Sequence, residues 1–208
     1  MTFISEYKMK VLIFGGFLGS GKTTALMQLA RYIVRQSGPS DGKKVVIIEN
    51  EIGEAGIDDK FLRSDGFRVE DLFAGCACCT VSGEMVDAAN RIQVQYNPEW
   101  LIVETTGLAY PGLIKENLQI ALNMDSRICI LVDAARWTRL LLPLNSLLSG
   151  QIIGSDTVLI NKADLVDETI LLKTEADIAA FDPNPEVIRI SAVDVIADDV
   201  WAKVLGGI

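Results

Sequence analysis

Val11-Leu12-Ile13-Phe14-Gly15-Gly16-Phe17-Leu18-Gly19-Ser20-Gly21-Lys22-Thr23-Thr24 is the stretch on which the fold turns. Its opening apolar run is strand-sized, and the strand Val11–Gly15 leads into a Gly-rich turn. Gly16 through Thr23 fits G-x-x-x-x-G-K-[ST], set between a strand and a helix, the context that gives this pattern meaning. The glycines let backbone N–H groups turn inward around phosphate oxygens, and the helix N-terminus adds positive potential. In such a loop Lys22 reaches the β- and γ-phosphates and the Thr23 hydroxyl binds Mg²⁺. Gly16, Gly19, Ser20, Gly21 and Thr24 complete the expected cradle. The plain alternative, a Gly-rich turn with no ligand, is disfavoured by the alignment of all these features.

Outward from the loop, apolar strand-like runs alternate with helical stretches. A helix is predicted over Thr23–Val34, with Ala25, Leu26, Leu29 and Ile33 on one buried face. Further strands are predicted over Val45–Ile48, Phe67–Leu72 (weaker), Trp100–Val103, Ile128–Val132, Val158–Ile160 and Val187–Ile190. Helices are predicted over Gly83–Gln95, from Pro111 in a first turn, and over Asp167–Ala180, ended near Pro183. Ala192–Ile208 reads as a short closing helix. Continuous apolar strands between helices imply a mostly parallel sheet covered on both faces, a three-layer α/β/α P-loop NTPase. Residues 1–208 are expected to form one domain.

Composition narrows the partners. The formal net charge is −9 and the pI about 4.6, with no basic patch for a nucleic acid. No apolar stretch reaches the roughly 18–20 residues of a membrane span. The N-terminal run follows Glu6, Lys8 and Lys10 and breaks at Gly15-Gly16, so it does not read as a signal peptide. A soluble cytoplasmic protein is expected. The chain has no His, so Cys, Asp and Glu must fill any metal-ligand or general-base role.

Asn161-Lys162-Ala163-Asp164 follows the strand Val158–Ile160. A carboxylate at Asp164 can accept from the N1–H and exocyclic amine of guanine, a donor pair that adenine lacks. Asn161 would brace the loop and Lys162 would pack along the base, while Ser191-Ala192 would supply a second loop around it. An ordinary polar loop is the alternative; the phosphate loop upstream favours guanine, hence GTP or GDP. Glu104-Thr105-Thr106-Gly107 follows Trp100–Val103. Glu104 can orient Mg²⁺ or its water, and Gly107 can bring its N–H to the γ-phosphate and flip when that phosphate leaves. The same residues also suit a helix N-cap region before Pro111.

Gly75-Cys76-Ala77-Cys78-Cys79-Thr80 is the most unusual segment. Packing does not explain three thiols within four positions, and adjacent thiols rarely close an unstrained disulfide. Thiolates at this density favour Zn²⁺, Cu⁺ or another thiophilic metal, against a structural or redox role. Three sulfurs leave a tetrahedral ion one ligand short, so a carboxylate or water must complete the shell. The run Glu49–Asp59, with five acids and two glycines, supplies candidates, though a solvated acidic loop is the bland reading.

Taken in order, Gly15–Thr24, Glu49–Asp58, Gly75–Thr80, Glu104–Pro111, Val132–Ala135 and Asn161–Asp164 resemble the CobW-type GTPases, relatives of the hydrogenase and urease nickel-chaperone GTPases. The resemblance covers nearly the whole chain. It implies a metal-handling GTPase that delivers a metal or supports a metallocofactor enzyme, and a homodimer as a possible assembly; a Cys/carboxylate set accommodates Zn²⁺, Co²⁺, Ni²⁺ and Fe²⁺, with Zn²⁺ or Co²⁺ expected foremost. It places the metal site on Cys76, Cys78, Cys79, Glu49 and Glu54, and the nucleotide roles on Gly16–Thr24, Asn161, Lys162 and Asp164. The chain departs from the family in three ways. The usual C-terminal domain is expected to be absent, no His-rich tract is present, and Tyr110 stands where an acid often precedes Pro111.

The resulting expectation is a slow GTPase with Lys22, Glu104 and Gly107 in catalytic roles and a client metalloenzyme or cofactor-pathway protein as partner. The alternative is a P-loop kinase, or a nucleotide-driven activator of a corrinoid or other metalloenzyme, whose cysteines are structural or redox-active.

Overall fold

A computed structural model describes residues 9–36, 45–49, 68–71 and 81–207. Among these residues the order is β1 (Lys10–Gly16), α1 (Lys22–Gln36), β2 (Val45–Glu49), β3 (Arg68–Asp71), α2 (Val81–Tyr96), β4 (Trp100–Glu104) and α3 (Pro111–Leu122). Then follow β5 (Ser126–Asp133), α4 (Ala134–Leu141), α5 (Asn145–Ile152), β6 (Thr157–Asn161), a 3₁₀ turn (Ala163–Leu165), α6 (Glu168–Phe181), β7 (Glu186–Arg189) and α7 (Asp198–Val204). The strands form one sheet in the order β3-β2-β4-β1-β5-β6-β7, and every pairing is parallel.

Each central strand buries both faces, which is why it reads as an unbroken apolar run rather than an alternating one. Val11 and Ile13 of β1 face a core shared with Met85 and Ile92 of α2, Leu118 of α3, Trp137 of α4 and Leu148 of α5. Leu12 and Phe14 face the opposite core, with Leu26 and Leu29 of α1 and Trp201 of α7. Period-two alternation of Cβ direction thus sends consecutive apolar residues into two different layers.

The strand and helix expectations are met within a residue or two, and the weak strand over Phe67–Leu72 appears as β3. Asp167 caps α6 instead of lying inside it, its carboxylate accepting from the Ile170 N–H at 2.9 Å. The closing segment is helical only over Asp198–Val204. Two helices escaped the sequence reading, α4 and α5. They are eight residues each, shorter than the roughly 11–18-residue window over which a helical period can be counted, and the leucines on either side of Pro143 blur the boundary between them. No helix among the described residues is long and apolar enough to cross a membrane.

The register collects polar residues at the carboxyl ends of the strands. Glu104 aligns with Phe14 on one side and Glu49 on the other, while Asp133 aligns with Asn161. β1 lies between β4 and β5, where the chain's connections diverge to opposite sides. Crevices outside such switch points are where open α/β sheets bind ligands.

Candidate functional site

The turn after β1 is shaped by glycine. Gly16, Gly19 and Gly21 have φ of +140°, +70° and +98°, which side-chain-bearing residues rarely adopt. A Cβ on Gly16 would strike the Leu131 carbonyl, and one on Gly21 the Asn161 amide. The Ser20 N–H donates to the Phe17 carbonyl at 3.2 Å, and Ala25 N–H donates to Gly21 O at 3.1 Å to open α1. The first turn of α1 has no acidic residue to neutralise its unpaired N–H groups, so it presents a favourable end to an anion. Lys22 is buried in that turn, and the Ser20 hydroxyl is buried with no partner among the described residues. A loop lined by glycines, an ammonium and unpaired donors fits a polyphosphate.

Thr23 and Glu104 come together across 81 positions of sequence. The Thr23 hydroxyl donates to Glu104 Oε1 at 3.2 Å, and Glu104 is only 2% exposed. A hydroxyl and a carboxylate at a phosphate loop are the hard oxygen donors that Mg²⁺ takes, so this pair fits the ion. Gly107 follows, buried against the loop; a Cβ there would lie 2.6 Å from the Leu18 backbone nitrogen.

The segment after β6 is bolted to the same loop. Asn161 is 3% exposed; its Nδ2 donates to Ser20 O at 2.8 Å and its Oδ1 accepts from the Ala192 N–H at 2.8 Å. One amide thereby joins three segments. Lys162, with φ of 62°, donates through Nζ to Gly19 O at 2.9 Å and to Asp133 Oδ2 at 2.6 Å. Asp164 is exposed in the 3₁₀ turn beyond it, open to a ligand. Ser191 carries a buried hydroxyl without a partner among the described residues.

Asp133 and Arg136 were not singled out from the sequence. Asp133 ends β5, caps α4 by accepting from the Arg136 N–H at 3.2 Å, and pairs with Arg136 Nε at 2.6 Å. Arg136 Nη2 also donates to the Leu18 carbonyl. Burial pushes the Asp133 carboxyl up, but bonds from the Lys162 ammonium and Arg136 guanidinium outweigh it and leave the pKa below the usual 3.8. The sequence signal was an acid at a strand's carboxyl end, yet both cationic partners depend on the fold. Gln151 is a second omission: its Nε2 donates to Gly107 O at 3.0 Å and Ala109 O at 3.1 Å. Nothing in its sequence surroundings marks it.

Of the metal residues, Glu49 is buried at the end of β2, level with Glu104. Glu54, Cys76, Cys78 and Cys79 lie outside the described residues. Among the described residues, no three of His, Cys, Asp and Glu are grouped to hold a metal.

A parallel sheet, a glycine-lined loop opening a helix, and an Asn-Lys-x-Asp segment bound to that loop define a P-loop α/β nucleotide-binding protein. More particularly, residues 10–189 match the CobW/HypB/UreG nucleotide-binding domain, and the chain belongs to that family. It is 30% identical over 207 residues to the zinc chaperone CobW of Pseudomonas aeruginosa, covering 83% of this chain and 53% of that protein. It is 31% identical over 158 residues to the zinc chaperone YeiR of Escherichia coli, covering 72% of this chain and 45% of that protein. A zinc-regulated GTPase metalloprotein activator 1 from Dictyostelium discoideum is 25% identical over 88% of this chain and 46% of its own length. The chain therefore spans about half the length of the curated relatives it matches. The fold matches the hydrogenase maturation factor HypB of Archaeoglobus fulgidus with a TM-score of 0.70 at 19% identity, over 97% of this chain and 91% of that one. It matches the Zn(II)-bound YjiA GTPase from E. coli with a TM-score of 0.63 at 22% identity, over 96% and 63%.

Proposed function

We propose that this chain binds and slowly hydrolyses GTP, and uses that cycle to hand a thiophilic metal, zinc foremost, to a client metalloprotein. The observation that supports the nucleotide half is the bonding of Asn161 and Lys162 to the phosphate loop, just before the exposed Asp164. Asp164 then accepts from guanine, with Ser191 and Ala192 on the opposite loop. Backbone donors of Gly16, Gly19, Ser20 and Gly21 wrap the phosphates, Thr24 extends the cradle, and Lys22 balances the β- and γ-phosphate charge. Thr23 and Glu104 would hold Mg²⁺, which when bound neutralises charge on the phosphates. Gly107 offers its N–H to the γ-phosphate.

The metal half is supported by the three-cysteine segment and by the zinc chaperones among the relatives. Zn²⁺ or Co²⁺ is the substrate, held by Cys76, Cys78, Cys79, Glu49 and Glu54. Glu49 belongs to both halves, since its strand end lies level with Glu104. It is the route by which γ-phosphate state reaches the metal.

Titration of the metal-free chain with Co²⁺, with and without GTP, tests this. Thiolate-to-cobalt absorption that shifts in midpoint with GTP supports the coupling. Changing Cys76, Cys78 and Cys79 to Ser should abolish that absorption and spare GTP binding; surviving metal affinity sinks the proposed site. Tight ATP binding unaffected by Asp164→Ala would favour an ATP-driven kinase or activator instead.

A further inference from the structure

Gln151 sits at the end of α5, 2% exposed, and its amide nitrogen spends both hydrogens on the segment after β4. The two acceptors, Gly107 O and Ala109 O, are two residues apart in one tight turn, which is itself closed by the Ala109 N–H donating to Thr106 O at 3.1 Å. The carbonyls of residues 106, 107 and 109 are thus all tied down. Among the described residues the Gly107 N–H has no acceptor. Gly107 itself packs on the phosphate loop, where a Cβ would lie 2.6 Å from the Leu18 backbone nitrogen, so holding the Gly107 carbonyl fixes how this residue sits against that loop.

The contact is reinforced one residue away. A Cβ on Gly150 would lie 2.8 Å from Cδ1 of Tyr110, so the tyrosine ring lies directly on the helix where only glycine fits. Beyond Gln151 the chain enters β6, whose last residue, Asn161, holds Ser20 O. The α5–β6 unit therefore grips the nucleotide site at two points, the γ-phosphate turn at one end and the phosphate loop at the other.

We propose that Gln151 is a positioning residue for the Gly107 turn: it sets the distinction between GTP and GDP and the rate of γ-phosphate cleavage, and leaves nucleotide binding as such to the phosphate loop. The inference rests on the GTPase reading above. Only a primary amide meets the geometry in this space. A carboxylate would set acceptor against acceptor, and an apolar side chain would leave two buried carbonyls unpaired.

The test uses the 208-residue chain with Gln151→Met and Gln151→Asn, each compared with wild type in GDP affinity, GTP affinity and single-turnover GTP cleavage. Misplacing a reacting contact by about an ångström costs up to about a hundredfold, so Gln151→Met should slow cleavage roughly 10–100-fold and lose preference for GTP over GDP. GDP affinity should stay within about twofold, because an interaction with the γ-phosphate is absent from that complex. Gln151→Asn keeps the amide but withdraws it by one methylene, and should fall between the two; it carries the test if the Met variant does not fold. Cleavage unchanged in both variants overturns the inference, as does an equal loss of GDP and GTP affinity, which would mark Gln151 as scaffold. A wild-type chain that hydrolyses GTP while these variants match it leaves the GTPase reading standing and the inference refuted. A wild-type chain that binds no GTP refutes both.

Discussion

Asn161→Ala should unfold this protein more readily even with no nucleotide present. The side chain is 3% exposed and makes two bonds of 2.8 Å, one to Ser20 O and one from Ala192 N. Truncation removes both partners and leaves a carbonyl and an N–H facing each other across a space too tight for full rehydration. A buried polar group left unpaired costs about 1–3 kcal/mol, so the pair amounts to roughly 2–4 kcal/mol once partial water access is allowed. For a domain of this size each kcal/mol lowers the melting temperature by about 2–4 °C, giving a drop of roughly 4–16 °C. Differential scanning fluorimetry of nucleotide-free protein reads it directly. Asp164→Ala is the internal control, because that carboxylate is exposed and its removal should shift the nucleotide-free melt by less than about 0.5 kcal/mol. If Asn161→Ala melts within about 2 °C of wild type, the three-segment brace does not hold the site together.

Three further outcomes follow from the same geometry. Gly107→Ala places a Cβ 2.6 Å from the Leu18 nitrogen, a backbone clash that no rotamer relieves. It should cost about 1–3 kcal/mol in urea unfolding and weaken GDP binding, and an unchanged midpoint and affinity would contradict it. Asp133 has a folded pKa below 3.8, so its stabilisation is complete above that value and is lost as pH falls through the lower, folded one. The stability gap between wild type and Asp133→Asn should hold constant from neutral pH down to about pH 5 and narrow only in stronger acid; narrowing between pH 7 and 6 would refute the pairing with Lys162 and Arg136. Cys129 is fully buried in β5, where burial pushes its thiol pKa far up. Iodoacetamide labelling followed by peptide mass spectrometry should spare Cys129 in native protein and modify it in urea; equal labelling in both would show that β5 opens.

The core elements were legible because local chemistry decided them. A continuous apolar run flanked by helices had to be a parallel strand with two buried faces, and β1, β2, β4, β5 and β6 each proved so. The phosphate loop was legible for a related reason: three backbone turns demand glycine whatever surrounds them. α4 and α5 were hidden because eight residues are too few to establish a period, and their placement is decided by Asp133 at one end and by packing of Trp137 and Leu148.

The division extends to the site. Residue type and spacing alone pointed to Lys22, Thr23, Asn161 and Asp164 as parts of one proposed nucleotide apparatus, since each motif lies within a few residues of its own strand end. Only the tertiary structure decided how those motifs are joined. Sheet order puts β5 between β1 and β6, so Asp133 falls between Lys162 and Arg136, and both cations reach carbonyls of the phosphate loop. The Gln151 amide finds Gly107 across 44 positions by the same means. Hydrogen bonds are short-ranged and indifferent to sequence separation, so partners this distant become visible only when strand order and register have brought them within reach.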